Sequence, residues 1–149
     1  MAGAVDELWP VKNAFYVGVH QQAISEAMNN APSSDAGRAE RDFFMYRAYA
    51  EQGQTSMVLN EVGSGNKPVP LQSAYLLALY LSGSKEAAVA TLKERLAAPG
   101  AASEASLQLV GALIFAHEQE YKDALKLIHQ STDLETIALC AHIYIAMNR

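Results

Sequence analysis

Gly18, Gly53 and Gly83 each stand five residues ahead of an apolar pair, Ala23-Ile24, Val58-Leu59 and Ala88-Val89. A further small or apolar residue follows each pair, at Ala27, Val62 and Leu92. The figure recurs with Gln119 in the glycine position, ahead of Ala124-Leu125 and Ile128. Successive small positions lie 35, 30 and 36 residues apart. Apolar residues at i, i+1 and i+4 mark one face of a helix, and a period of this length is that of a repeated helix pair. The sequence therefore predicts an all-α fold, an α-α superhelix built as a solenoid of antiparallel helix pairs.

The segment ahead of each turn supports this reading. Counting nine and twelve residues back from the small position gives Ala14 and Val11, Tyr49 and Tyr46, Leu79 and Leu76, then Phe115 and Ala112. Side chains three apart share a helix face, so each pair forms a stripe that packs on the second helix. Gly18, Gly53 and Gly83 fall where one helix ends and the chain needs a left-handed residue. The spacing predicts first helices over roughly 5–17, 37–51, 69–82, 103–117 and 133–147, and second helices over roughly 20–30, 54–62, 84–97 and 120–130. Pro32-Ser33-Ser34-Asp35, Gly63 to Pro68 and Pro99-Gly100 separate the pairs, and Thr132-Asp133-Leu134-Glu135 reads as a capping box.

This makes residues 1–149 one helical-repeat domain of about four helix pairs plus an unpaired last helix. A solenoid repeat buries its face only against its neighbours, so half a repeat at the end leaves apolar surface exposed. The expectation is the N-terminal portion of a longer solenoid, or an end covered by something else. By itself such a chain is expected to self-associate or to take up a hydrophobic dye.

Charge and composition narrow the function. Eleven Lys and Arg face 16 Asp and Glu, a net charge of −5, which argues against broad binding to nucleic acid or anionic membranes. Carboxylates occupy the start of MAGAVDELWP where a secretory signal has basic residues. The apolar stretches are shorter than the roughly 20 residues a bilayer span needs, so no direct membrane insertion is expected. The single cysteine, Cys140, lies in an apolar run and reads as a small buried side chain in a reducing compartment.

No catalytic, cofactor or metal site is legible. His20, His117, His129 and His142 lack i,i+4 pairing and no Cys-x-x-Cys accompanies them, so they read as surface or turn histidines. The Gly63-Ser64-Gly65-Asn66-Lys67-Pro68 string fails as a phosphate loop, because Asn66 replaces the glycine before lysine and Pro68 the magnesium-binding hydroxyl. Glu40 with Asp42, and Asp133 with Glu135, are two apart on a helix and point in different directions. Phe43-Phe44-Met45-Tyr46 reads as core rather than as a cofactor box.

The helix pair resembles a tetratricopeptide repeat, although Glu7, Asp42, Gln72 and Gln108 occupy the first-helix position where that family favours tryptophan. The strings VDELWPVKNAFYVGVHQQAI, ERDFFMYRAYAEQG and LKLIHQSTDLE, in this order and spacing, resemble the N-terminal part of the epsilon subunit of coatomer, the COPI vesicle coat. The resemblance implies a non-catalytic scaffold bound to the C-terminal domain of the coatomer alpha subunit and, through it, to the rest of the coat. It also implies a cytoplasmic protein, peripheral on Golgi membranes and coated vesicles, and a family whose members continue well past residue 149. The competing class is a generic peptide-binding adaptor or co-chaperone module. A groove for acidic tails would need clustered cations, and Lys12 and Arg47 are too few.

In solenoids of this kind the groove is lined fifteen and eleven residues before the small position: Leu8 and Lys12, Phe43 and Arg47, Ser73 and Leu77, Leu109 and Leu113. The apolar five, Leu8, Phe43, Leu77, Leu109 and Leu113, are the candidate partner-binding residues, suited to an amphipathic segment. A phase shift of one residue would instead turn them into core.

Overall fold

A computed structural model describes residues 6–149, which form helices and no strands. The helices are α1 (Trp9–Tyr16), α2 (His20–Asn29), α3 (Asp35–Glu51), α4 (Thr55–Val62), α5 (Val69–Leu81), α6 (Lys85–Leu96), α7 (Ala105–His117), α8 (Tyr121–Ile128) and α9 (Leu134–Met147). A single 3₁₀ turn, Ala101–Ser103, precedes α7. The first predicted helix begins at residue 5, outside the described residues, and α1 starts later because Asp6 folds back to accept the Leu8 amide at 2.9 Å. The chain divides into two compact units, Met1–Ser84 and Lys85–Arg149.

The turns follow the repeat. Gly18, Gly53 and Gly83 have φ of 84°, 81° and 103°, a region that side-chain-bearing residues occupy only at a cost. Gln119 takes the equivalent position with φ 62°, the non-glycine exception among the described residues. Behind these turns Ala23, Val58, Ala88 and Ala124 have no exposed surface. After Gly18, Gly53 and Gln119, a small or β-branched side chain there lets the second helix lie close against the first.

In the first unit α1 packs on α2, and α3 packs on α1, α2, α4 and α5. Ser34 caps α3, its hydroxyl accepting the Gly37 amide at 2.9 Å. Ala50, Val58, Val62 and Ala78 form a core cluster sheathed by Tyr46, Tyr49, Met57, Leu59, Leu71 and Tyr75. In the second unit α7 packs on α6, α8 and α9. Gly111 lies where three helices converge: a β-carbon there would meet Leu127 at 2.8 Å, Leu92 at 3.3 Å and Leu96 at 3.7 Å.

The predicted capping box of α9 does not form. Asp133 is the N-cap and makes no side-chain cap bond. Ser131 and Thr136 fix this end instead: the Asp133 amide donates to the Ser131 hydroxyl, and Thr136 Oγ1 bonds Ser131 Oγ at 2.7 Å and the Asp133 carbonyl at 2.8 Å.

Candidate protein-interaction surfaces

Leu8, Phe43, Leu77 and Leu109 are buried, and Leu113 is half-buried. Their polar companions Arg47 and Ser73 are buried as well. The reason is the width of the arc each first helix hides. A helix touching only its own partner would bury one stripe, but α3 touches four neighbours. Positions about 100° around the helix from the predicted stripe are then covered too. In the isolated chain these side chains are occupied by packing, and Leu113 keeps accessible surface.

Arg47 shows what this burial does to a charged residue. It is 4% exposed, and its guanidinium carbon lies 4.4 Å from the Phe15 ring centroid, 5.1 Å from Phe43 and 5.5 Å from Phe44. The rings stack edge to face, Phe15 on Phe44 at 5.6 Å and Phe43 on Phe44 at 5.6 Å. The quadrupoles of the ring faces attract the flat cation, and arginine tolerates such a site because its guanidinium is weakly hydrated. The string Phe43-Phe44 is thus core, and Arg47 is part of it.

Lys12 lies beside this cluster. Its ammonium contacts Asp6 at 3.0 Å and Glu40 at 2.8 Å. Burial by itself would lower the Lys12 pKa, but Glu40 and Asp6 outweigh it and hold it above the ordinary lysine value. For Asp6, burial would raise the carboxyl; the Leu8 amide and Lys12 outweigh that and hold it below the ordinary value. The triad ties the start of α1 to α3.

Among the described residues, exposed apolar side chains gather on α1 and on α9, each within one unit. On α1 and the turn after it, Trp9, Tyr16, Val17 and Val19 are exposed, Trp9 by 61%. On α9, Leu134, Ile137, Tyr144 and Ile145 are exposed, Leu134 by 76% and Ile145 by 57%. The first surface was not anticipated in the sequence; the second lies on the helix that the sequence analysis expected to expose apolar surface. A shallow open depression on α6 is lined by Lys85, Glu86, Val89, Ala90, Lys93 and Glu118.

The chemical candidates stay apart. Among the described residues no three His, Cys, Asp or Glu gather at metal-binding distance, and no helix is long and apolar enough to cross a membrane. His117, His129 and His142 are not buried, while His20 packs on Phe15 at 5.5 Å between centroids. Cys140 is half-buried rather than enclosed. Burial pushes its thiol pKa up, away from the reactive thiolate.

Comparison with known proteins assigns this helical framework. The family model of the coatomer epsilon subunit matches residues 4–149. The chain belongs to the coatomer epsilon subunit family. Coatomer subunit epsilon-1 of Oryza sativa subsp. japonica is 41% identical over 145 residues, covering 97% of this chain and 50% of the relative. Coatomer subunit epsilon-1 of Arabidopsis thaliana is 37% identical over 152 residues, covering 100% of this chain and 51% of the relative. Coatomer subunit epsilon of Dictyostelium discoideum is 30% identical over 153 residues, covering 97% and 51%. This epsilon-family chain spans about half the length of the curated relatives it matches.

Proposed function

We propose that the chain is a non-catalytic structural subunit of the COPI coat, a scaffold that binds the C-terminal domain of the coatomer alpha subunit in Golgi-to-ER and intra-Golgi transport. The observation that carries this reading is the epsilon-family match running from residue 4 to residue 149. The all-helical fold is in keeping with it, because helix faces offer docking surface to another protein. Attachment to Golgi and vesicle membranes then comes through the assembled coat, in keeping with the chain's net charge of −5. Leu113, half-buried on α7, is the member of the predicted groove whose side chain a partner can reach without unpacking the fold. Leu8, Phe43, Leu77 and Leu109 are held in the interior of their own units.

Calorimetric titration with the isolated C-terminal domain of coatomer alpha tests the reading. Binding at roughly micromolar strength or tighter is expected, with Leu113→Asp weaker by about tenfold or more. No heat of binding at any accessible concentration would refute coatomer alpha as the partner. Unchanged affinity in Leu113→Asp would refute that surface alone.

A further inference from the structure

Tyr46, Tyr49 and Tyr75 share one arrangement in the first unit. Each is half-buried, with its ring packed on the core cluster of Ala50, Val58, Val62 and Ala78. Their hydroxyls make no hydrogen bond to another described residue. A tyrosine anchored by its ring and free at its hydroxyl is a common element of protein interfaces, because the ordering cost has already been met by the core.

Carboxylates border these rings. Asp42, Tyr46 and Tyr49 stand at i, i+4 and i+7 of α3 and so share a face. Glu61 comes from α4, which packs on α3 and α5. Burial first, then the charges of Asp42 and Glu61 together with Tyr49, push the Tyr46 phenol above its ordinary pKa, so both carboxylates act at its oxygen. Asp42 is met by Arg41 Nε at 3.0 Å, whereas Glu61 is exposed and has no ion pair among the described residues. Arg47, the basic residue between Asp42 and Glu61 in the sequence, is enclosed with Phe15, Phe43 and Phe44 and offers Glu61 nothing.

We propose that this aromatic, negatively charged face of α3, α4 and α5 takes an arginine side chain presented by the coat partner. The inference rests on coatomer alpha being that partner and adds a place and a chemistry. A guanidinium lies flat on a tyrosine ring while its N–H groups donate to the Glu61 carboxylate and a phenol oxygen; an ammonium has no flat surface to stack. An acidic segment would meet Glu61 and Asp42. A purely apolar one would strip water from the hydroxyls and carboxylates without replacing its hydrogen bonds.

The test has two arms. In the first, acetyl-Gly-Arg-Gly-amide is titrated into the 149-residue protein while the tyrosine ring resonances are followed by NMR, beside the same peptide with lysine. In the second, the C-terminal domain of coatomer alpha is titrated by calorimetry into wild type, Glu61→Arg, Glu51→Arg and a Tyr46→Phe, Tyr49→Phe double variant. Glu61 and Glu51 are exposed and the double variant keeps both rings, so circular dichroism is expected to be unchanged throughout. Glu51 lies on the side of α3 away from Asp42 and changes the net charge equally. The arginine peptide is expected to shift Tyr46, Tyr49 and Tyr75 at about millimolar concentration, more than the lysine peptide does. Coatomer alpha is expected to bind Glu61→Arg about tenfold more weakly or worse, the double variant about threefold more weakly, and Glu51→Arg like wild type. Equal weakening by both reversals would overturn the proposal, leaving only long-range attraction. Unchanged affinity in Glu61→Arg would overturn it while keeping coatomer alpha as partner. If coatomer alpha does not bind wild type, that partner is refuted and the peptide arm decides alone: no selective shift of these tyrosines, or equal shifts from lysine, would overturn the arginine site.

Discussion

Arg47→Ala is the perturbation whose size the structure fixes most directly. The substitution removes two buried methylenes, Cγ and Cδ, at about 0.8 kcal/mol each. It also removes the guanidinium from the faces of Phe15, Phe43 and Phe44, where its carbon lies 4.4, 5.1 and 5.5 Å from the centroids. A desolvated cation–π contact is worth about 2 kcal/mol, and the three rings share one cation, so the contact is counted once. The sum is about 3.5 kcal/mol, a large part of a small unit's stability. Arg47→Lys keeps the stem and the charge but loses the flat stacking surface, and is expected to cost about 1–2 kcal/mol. Urea denaturation followed by circular dichroism, with fluorescence of Trp9, the chain's single tryptophan, reads both variants. A loss below about 1.5 kcal/mol for Arg47→Ala would refute the packing account. Arg47→Lys indistinguishable from wild type would show that charge, not stacking, holds the rings.

Other expectations follow from single positions. Because Asp6 is held below its ordinary pKa, its contribution is present above the unfolded value and is lost as pH falls through the folded one. Acid titration of the unfolding midpoint should therefore lose part of its slope below about pH 4 in Asp6→Asn. Lys12 is raised, so its contribution is lost only as pH climbs through its folded pKa, above about pH 10, and a plateau between these limits is expected. Gly83→Ala, at φ 103° with nothing within 4 Å of a new β-carbon, should cost about 1–2 kcal/mol from backbone strain alone. The same substitution at Gly65, where no such φ is recorded, should be near neutral; equal effects on the thermal midpoint would count against this account. Gly111→Val should lower stability by about 1–3 kcal/mol, since Leu127, Leu92 and Leu96 crowd that point. An unchanged denaturation midpoint would show that those leucines have room to move.

Much of the fold was legible because helix pairs are written in short-range spacing. A glycine five residues ahead of a small residue fixes a left-handed turn and a close helix contact, and both are local matters of sterics. Ala23, Val58 and Ala124 are fully buried for that reason. The sequence established the period, the turns, the all-helical class and, through whole strings, the family.

What the sequence did not determine was how far around each first helix the burial extends. That depends on how many neighbours a helix meets, and α3 meets four. Phe43 and Arg47 were consequently expected in a groove and lie in the core, the guanidinium set against three rings. Gln119 occupies a glycine's place at φ 62° because α7 and α8 are held together by their packing, which outweighs a strain of about 1–2 kcal/mol. Spacing along a chain records which residues share a helix face; which faces then meet is settled only when helices from distant parts of the chain pack against one another.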